Sequence, residues 1–262
     1  MTKLVQTRRS FLTAIASGAS MLALSACGGG GGNSSGTKEE TDPTVKTEGV
    51  MTYDEYVAAE VDSEVMLECF VQGKQSWWED KASIYAADAD GGYFIYNANC
   101  DKATYDKLVD GTKIGVIGYK AEWSGEIEVA EGAELTILDG TYIAEPVDVT
   151  DKLGTDELIN YQNQKVSFTG LTIAPSKDAD GKEVPFIYNY DGSGAPGDDL
   201  YFNVSDGNAT YSFTVESYLT GEDSDVYKFV TNDLKIGDTV DLEGFLYWYE
   251  GPNPHITGIT VK

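Results

Sequence analysis

The chain has 262 residues, with 44 acidic side chains against 18 basic ones and one histidine, a formal charge of −26. Arg8 and Arg9 are its only arginines, so residues 27–262 hold 15 basic against 44 acidic side chains, a formal −29, with no guanidinium fork for a phosphate or carboxylate. A polyanion would meet general repulsion and no basic patch, which argues against a nucleic-acid partner. The 41% hydrophobic content suits packed cores in one large or two small domains.

The first 27 residues read as an export address. Thr7-Arg8-Arg9-Ser10-Phe11-Leu12 gives a basic start, and Ala14 to Leu24 is apolar but too short to span a bilayer comfortably. Leu24-Ser25-Ala26-Cys27 then places a cysteine after small residues. The first segment resembles a twin-arginine signal, with Thr13 where that pattern carries lysine. The second resembles the lipobox of bacterial lipoproteins. This resemblance implies that residues 1–26 are a cleaved signal peptide and that Cys27 is the lipidated N-terminus. The protein would then be held outside the cytoplasmic membrane. Residues 27–49 follow as a tether: a glycine run over 28–32, then Asn33, Ser34, Ser35 and Gly36, with no hydrophobic period.

From residue 50 the chain reads as two diverged copies of one unit, 50–145 and 146–262. Glu64-Val65-Met66-Leu67-Glu68-Cys69-Phe70 aligns with Lys165-Val166-Ser167-Phe168-Thr169-Gly170-Leu171, and Gly111 to Tyr119 aligns loosely with Gly237 to Phe245. Each copy opens with a short helical lead, Asp54 to Ala59 and Thr155 to Ile159. Copy two carries longer insertions, Pro175 to Val184 and Asp206 to Asp225.

In copy one, Val65 to Val71 alternates, putting Val65, Leu67, Cys69 and Val71 on one face. Ala82 to Ala87 and Tyr93 to Asn97 are further strands, separated by an Asp88-Ala89-Asp90-Gly91-Gly92 turn. Asp101 to Leu108 is a short helix capped by Asp101, with Gly111 past its end. Thr112 to Tyr119 and Glu126 to Ile137 complete the unit. Three strands, a helix and two strands resemble an OB-fold, a five-stranded Greek-key barrel. The expected fold is therefore all-β with short helices, two such barrels in tandem.

The resemblance implies a ligand face flanked by the loop between strands one and two and the loop between strands four and five. Trp77 and Trp78 fall in the first loop of copy one, Trp123 in the second, and Tyr93, Phe94 and Tyr96 on the adjoining third strand. Tyr247, Trp248 and Tyr249 fall at the last hairpin of copy two. The expected ligand-binding residues are Trp77, Trp78, Trp123, Tyr93, Tyr96, Tyr247, Trp248 and Tyr249. Rings among carboxylates suit sugar rings; the other reading is that they close the barrel ends or pack the domains together.

Asp88-Ala89-Asp90-Gly91 and Asp178-Ala179-Asp180-Gly181 read as turns, since neither completes a calcium loop, although loose calcium binding stays in reserve. Cys69 and Cys100 read as separate buried thiols rather than a bridge. Nothing ties a serine or acid to His255, so no catalytic set, metal site or cofactor is expected. The resulting expectation is a membrane-anchored, non-enzymatic module that recognises a glycan or cell-wall fragment. The alternatives are an acidic scaffold meeting a surface protein partner and, more weakly, a nucleic-acid-binding OB-fold protein.

Overall fold

A computed structural model describes residues 41–262. The signal segment, Cys27 and the glycine run lie outside the described residues. Among the described residues, no helix is long and apolar enough to cross a membrane.

The first barrel is built from β1 (Glu64–Lys74), β2 (Lys81–Ala87), β3 (Gly92–Asn99), β4 (Thr112–Trp123), β5 (Glu126–Val129) and β6 (Glu134–Thr141). Antiparallel β1–β2–β3 and β1–β4 pairings, with β5 and β6 bridging from β4 to β3 in parallel, close it. The expected single strand from Glu126 to Ile137 is thus two strands broken at residues 130–133. Side chains alternate across the wall as the pleat requires. Val65, Leu67, Cys69, Val71, Ala82, Ile84, Ala86, Tyr93 and Ile95 fill the interior. Helix α1 (Tyr53–Ala58) opens with a capping box in which Thr52 and Glu55 satisfy each other's backbone donors. Lys120 ends it: its Nζ donates to the carbonyls of Val57 at 2.6 Å and Ala59 at 2.8 Å, a cation at a helix C-terminus. Helix α2 (Lys102–Tyr105), capped by Asp101, links β3 to β4 and is shorter than the residue pattern predicts.

The second barrel repeats the plan with β8 (Lys165–Ala174), β12 (Leu200–Ser205), β13 (Thr210–Val215), β14 (Thr239–Trp248) and β15 (Pro252–Val261). A short β7 (Val147–Asp148) pairs with β8. Pairings β8–β12, β12–β13, β13–β15 (parallel), β15–β14 and β14–β8 close it. Phe168, Phe202, Phe213, Leu242 and Ile256 are central to its core. Gly170, with φ +67, takes up the extra residue where β8 bulges against β14. Helices α3 (Ser217–Thr220) and α4 (Asp225–Asn232) stand where α2 stands in the first barrel. Part of the stretch read as an insertion, Thr210–Val215, is a barrel strand: Phe213 and Val215 are buried, and only β12 and β15 beside it reveal that role. Residues 175–184 do lie outside the barrel, forming the β9 (Ser176–Lys177) and β10 (Glu183–Val184) hairpin; β11 (Ile187–Tyr188) pairs with β12.

Residues 41–49, read as the end of a tether, are docked on the first barrel. Thr41 donates its N–H to Thr141 O at 2.8 Å, and Lys46 pairs with the buried Asp88 carboxylate. Asp88 also caps its own turn, accepting from the N–H groups of Asp90 and Gly91 at 2.8 and 3.0 Å. Cys69 and Cys100 are buried free thiols, and burial pushes Cys100 up to about 11.

Candidate binding cleft between the barrels

The outer face of β2, β3 and β5 is set by the same alternation that fills the core. Ile95 and Val129 point inward, which leaves Tyr85, Phe94, Tyr96, Glu126 and Glu128 on the other side. The second barrel covers most of that face with β14 and β15. Phe245 stacks on Tyr85, centroids 4.3 Å apart and 5° from parallel, and Phe94 meets Tyr247 edge-on at 5.4 Å. Tyr85 Oη lies 3.0 Å from His255 Nδ1, which is 3.3 Å from Glu216 Oε2; Gln75 Nε2 donates to both Glu216 oxygens. The lone histidine is thus a buried junction residue, 6% exposed.

The two last hairpins meet above this. Ser124 and Gly125, both at positive φ, form the two-residue turn between β4 and β5. A Cβ on Gly125 would come within 2.9 Å of the Trp248 ring, so only glycine lets the two loops approach. Glu250 donates its N–H to Ser124 O at 2.8 Å. Gln162 and Asn163 stitch the same edge: Gln162 Nε2 donates to Gly125 O and Asn163 Nδ2 to Ile127 O, each at 2.8 Å.

Between the closed junction and these loops lies an open cleft of about 370 Å³, lined by Tyr96, Trp123, Glu128 and Tyr247. Trp123 is 60% exposed and Tyr96 40%. Tyr247 stacks on His255 at 4.7 Å, which fixes its ring from the barrel side. Glu128 is 8% exposed, and its carboxyl makes no hydrogen bond or ion pair among the described residues. Loss of water pushes its carboxyl up to about 7. Glu126, two residues earlier, is fully buried. Desolvation pushes it up to about 9, opposed by the hydrogen bond from the Trp248 N–H. Its Oε2 accepts from Trp248 N at 2.8 Å, whereas its Oε1 and Asn163 Oδ1 are both buried without a partner. A proton retained on the carboxyl gives such an acceptor a hydrogen to offer.

A larger groove of about 520 Å³ runs elsewhere along the junction past Lys74, Lys165, Glu243 and Phe245. Both lysines in its lining are engaged, Lys165 with Glu243 at 2.9 Å and Lys74 with Tyr105 O at 2.6 Å, and Phe245 is buried. Among the described residues, no three or more His, Cys, Asp or Glu side chains cluster as metal ligands.

Tyr96, Trp123 and Tyr247 therefore come together from three strands on two barrels. Trp248 flanks them, half-buried against Gly125, and Tyr249, 50% exposed, sits on the adjoining loop. Three expected residues are placed differently. Tyr93 is fully buried in the first core with its hydroxyl on Asp88 Oδ2 at 2.6 Å, because the pleat turns it inward between Phe94 and its other neighbour. Trp77 is half-buried and donates Nε1–H to Cys100 O at 2.9 Å, and Trp78, 71% exposed, stands at a bridge to Lys81, both away from the cleft. Glu126, Glu128, Tyr85, Phe245 and His255 were not singled out by the sequence as site residues. The alternating Glu126-Ile127-Glu128-Val129 was the available signal, but it reads as an ordinary solvent face until a second barrel covers it.

No protein-family model matches the chain, and no curated protein matches it in sequence. Solved structures do. A p204 HINb domain is similar at 12% identity and a TM-score of 0.35, over 78% of this chain and 100% of that one. An Ifi202 HINa domain in complex with 20 bp double-stranded DNA is similar at 10% identity and 0.35, over 76% and 98%. A replication protein A heterotrimer bound to single-stranded DNA is similar at 13% identity and 0.31, over 83% of this chain and 51% of that one. These similarities extend to the fold alone. One expectation is corrected: nucleic acid was set aside as a partner on net charge, whereas two of these neighbours are described in complex with double- or single-stranded DNA. Net charge is a sum over the whole surface and does not describe the face a ligand meets.

Proposed function

We propose that the two barrels act as one non-catalytic binding module, with the cleft of Tyr96, Trp123, Tyr247 and Glu128 as its working site. The observation that carries this reading is that three rings line an open cavity while their neighbours Tyr85, Phe94 and Phe245 pack shut. Exposed ring faces stack flat ligands, and a cleft assembled from two barrels holds them at fixed spacing. The bases of a single-stranded nucleic acid are one such ligand; stacking on an aromatic side chain is worth about 1–3 kcal/mol per base and tolerates any sequence. A glycan is the second reading, favoured by Glu128, a carboxyl beside the rings that can exchange hydrogen bonds with sugar hydroxyls. The lipobox-like Leu24-Ser25-Ala26-Cys27 supports a site of action outside the cytoplasmic membrane, with a lipid on Cys27 as anchor.

Titration of the full chain with a single-stranded oligonucleotide at low salt and with soluble glycans, followed by tryptophan fluorescence, tests this. A saturable shift that Trp123→Ala abolishes, with an unchanged circular dichroism spectrum, is the expected result. A shift that survives Trp123→Ala places binding elsewhere.

A further inference from the structure

We infer that the group entering the cleft is an organic ammonium ion, primary or quaternary, with its charge against Glu128 and its carbon shell on Tyr96, Trp123 and Tyr247. The inference rests on the cleft being the working site, and it specifies the charge of what the site takes.

Glu128 is the starting point. It is more than nine-tenths buried, lines the cavity, and its carboxyl has no hydrogen-bond or ion-pair partner among the described residues. A buried carboxylate without a counter-charge is costly, and proteins ordinarily supply one from a nearby lysine or arginine. The nearby lysines are committed. Lys120, on the strand beside β5, spends its Nζ on the carbonyls of Tyr56, Val57 and Ala59, and Lys81 pairs with Glu131. The other acid on this face, Glu126, keeps its proton and supplies no counter-charge. A positive charge that holds Glu128 ionised therefore comes from outside the chain.

The walls suit such a visitor. The face of an aromatic ring carries negative potential and attracts a cation lying within about 6 Å of its centre, most strongly at tryptophan. Three rings with a carboxylate beside them form a cage for an ammonium ion whose carbon substituents also gain apolar contact. A neutral ring would stack on the same aromatics and could give Glu128 a hydrogen bond, but not a counter-charge. The whole-chain charge of −26 adds a long-range field that concentrates cations at the surface.

The probe is choline, compared with 3,3-dimethylbutan-1-ol, its neutral isostere, each titrated into the full chain at constant ionic strength with tryptophan fluorescence as readout. Choline is expected to bind at least about tenfold more tightly than the alcohol. Glu128→Gln keeps the shape, so it should reduce choline affinity by about tenfold while leaving the alcohol unchanged. Equal binding of the two probes, or full choline affinity in Glu128→Gln, overturns the inference. If an oligonucleotide or glycan shifts the fluorescence through Trp123 and choline does not, the cleft remains the site and the ammonium assignment falls. If no probe shifts it, both fall.

Discussion

The junction between the barrels has a closed half and an open half, made from the same kinds of side chain. In the closed half, Tyr85 and Phe245 stack at 4.3 Å and the Tyr85 hydroxyl reaches His255, so every ring has a partner and the polar tips are satisfied. In the open half, Tyr96, Trp123 and Tyr247 border about 370 Å³ of empty space, and Glu128 has no partner. Aromatic composition is therefore no guide to function here. What separates packing from a site is whether the rings spend their faces on each other, and that depends on how far the second barrel reaches across the outer face of the first.

The contrast can be broken most forcefully at its closed end. Phe245→Ala removes a buried ring from the stack and should lower unfolding stability by about 3–5 kcal/mol in chemical denaturation; a loss below about 1 kcal/mol would mean that this stack does not hold the barrels together. The buried acids come next. Glu126 and Glu128 are raised from an ordinary 4.5 to about 9 and about 7. Between those limits the folded chain keeps protons that the unfolded chain has released, so stability falls as pH rises from about 4.5 to about 9. Thermal melts across that range should show it, and Glu126→Gln should flatten the alkaline part; a melt that rises with pH would contradict the burial argument. At the open end, Trp123→Ala should change stability by no more than about 0.5 kcal/mol while abolishing the ligand response. If it unfolds the protein instead, Trp123 is core and the comparison collapses. Trp78→Ala should have the smallest effect, leaving both stability and the cleft response unchanged, because its exposed ring stands apart from the junction.

Much of this was legible one strand at a time. The period-two pattern of Val65, Leu67, Cys69 and Val71 marked an interior face, and all four are buried. Asp101 marked a helix start, and it caps α2 by accepting from Thr104 N at 2.7 Å. The strand–helix–strand order was enough to expect two barrels. Boundaries and exceptions were harder: β13 was taken as part of an insertion, since six residues with three buried side chains stand out only when β12 and β15 lie beside them. Residues 41–49 looked like free linker because the ion pair that docks them joins Lys46 to Asp88, across a sequence distance no local pattern spans.

The candidate site divides along the same line. Five of the eight expected aromatics lie in, beside or next to the cleft: Tyr96, Trp123 and Tyr247 line it, and Trp248 and Tyr249 adjoin it. Loop and strand position alone were enough to nominate them. Tyr93, Trp77 and Trp78 share that sequence signature and lie elsewhere. The sequence by itself determined the alternation of each strand, the capping residues, the two-copy plan and the acidic balance, because these depend on spacing and on local backbone chemistry. Only the tertiary structure decided which outward face would be covered. That choice made Glu126 a buried acid, left Glu128 unpaired at a cavity, and turned His255 into a junction residue. Each of these is a matter of desolvation, and desolvation is set by what packs on top.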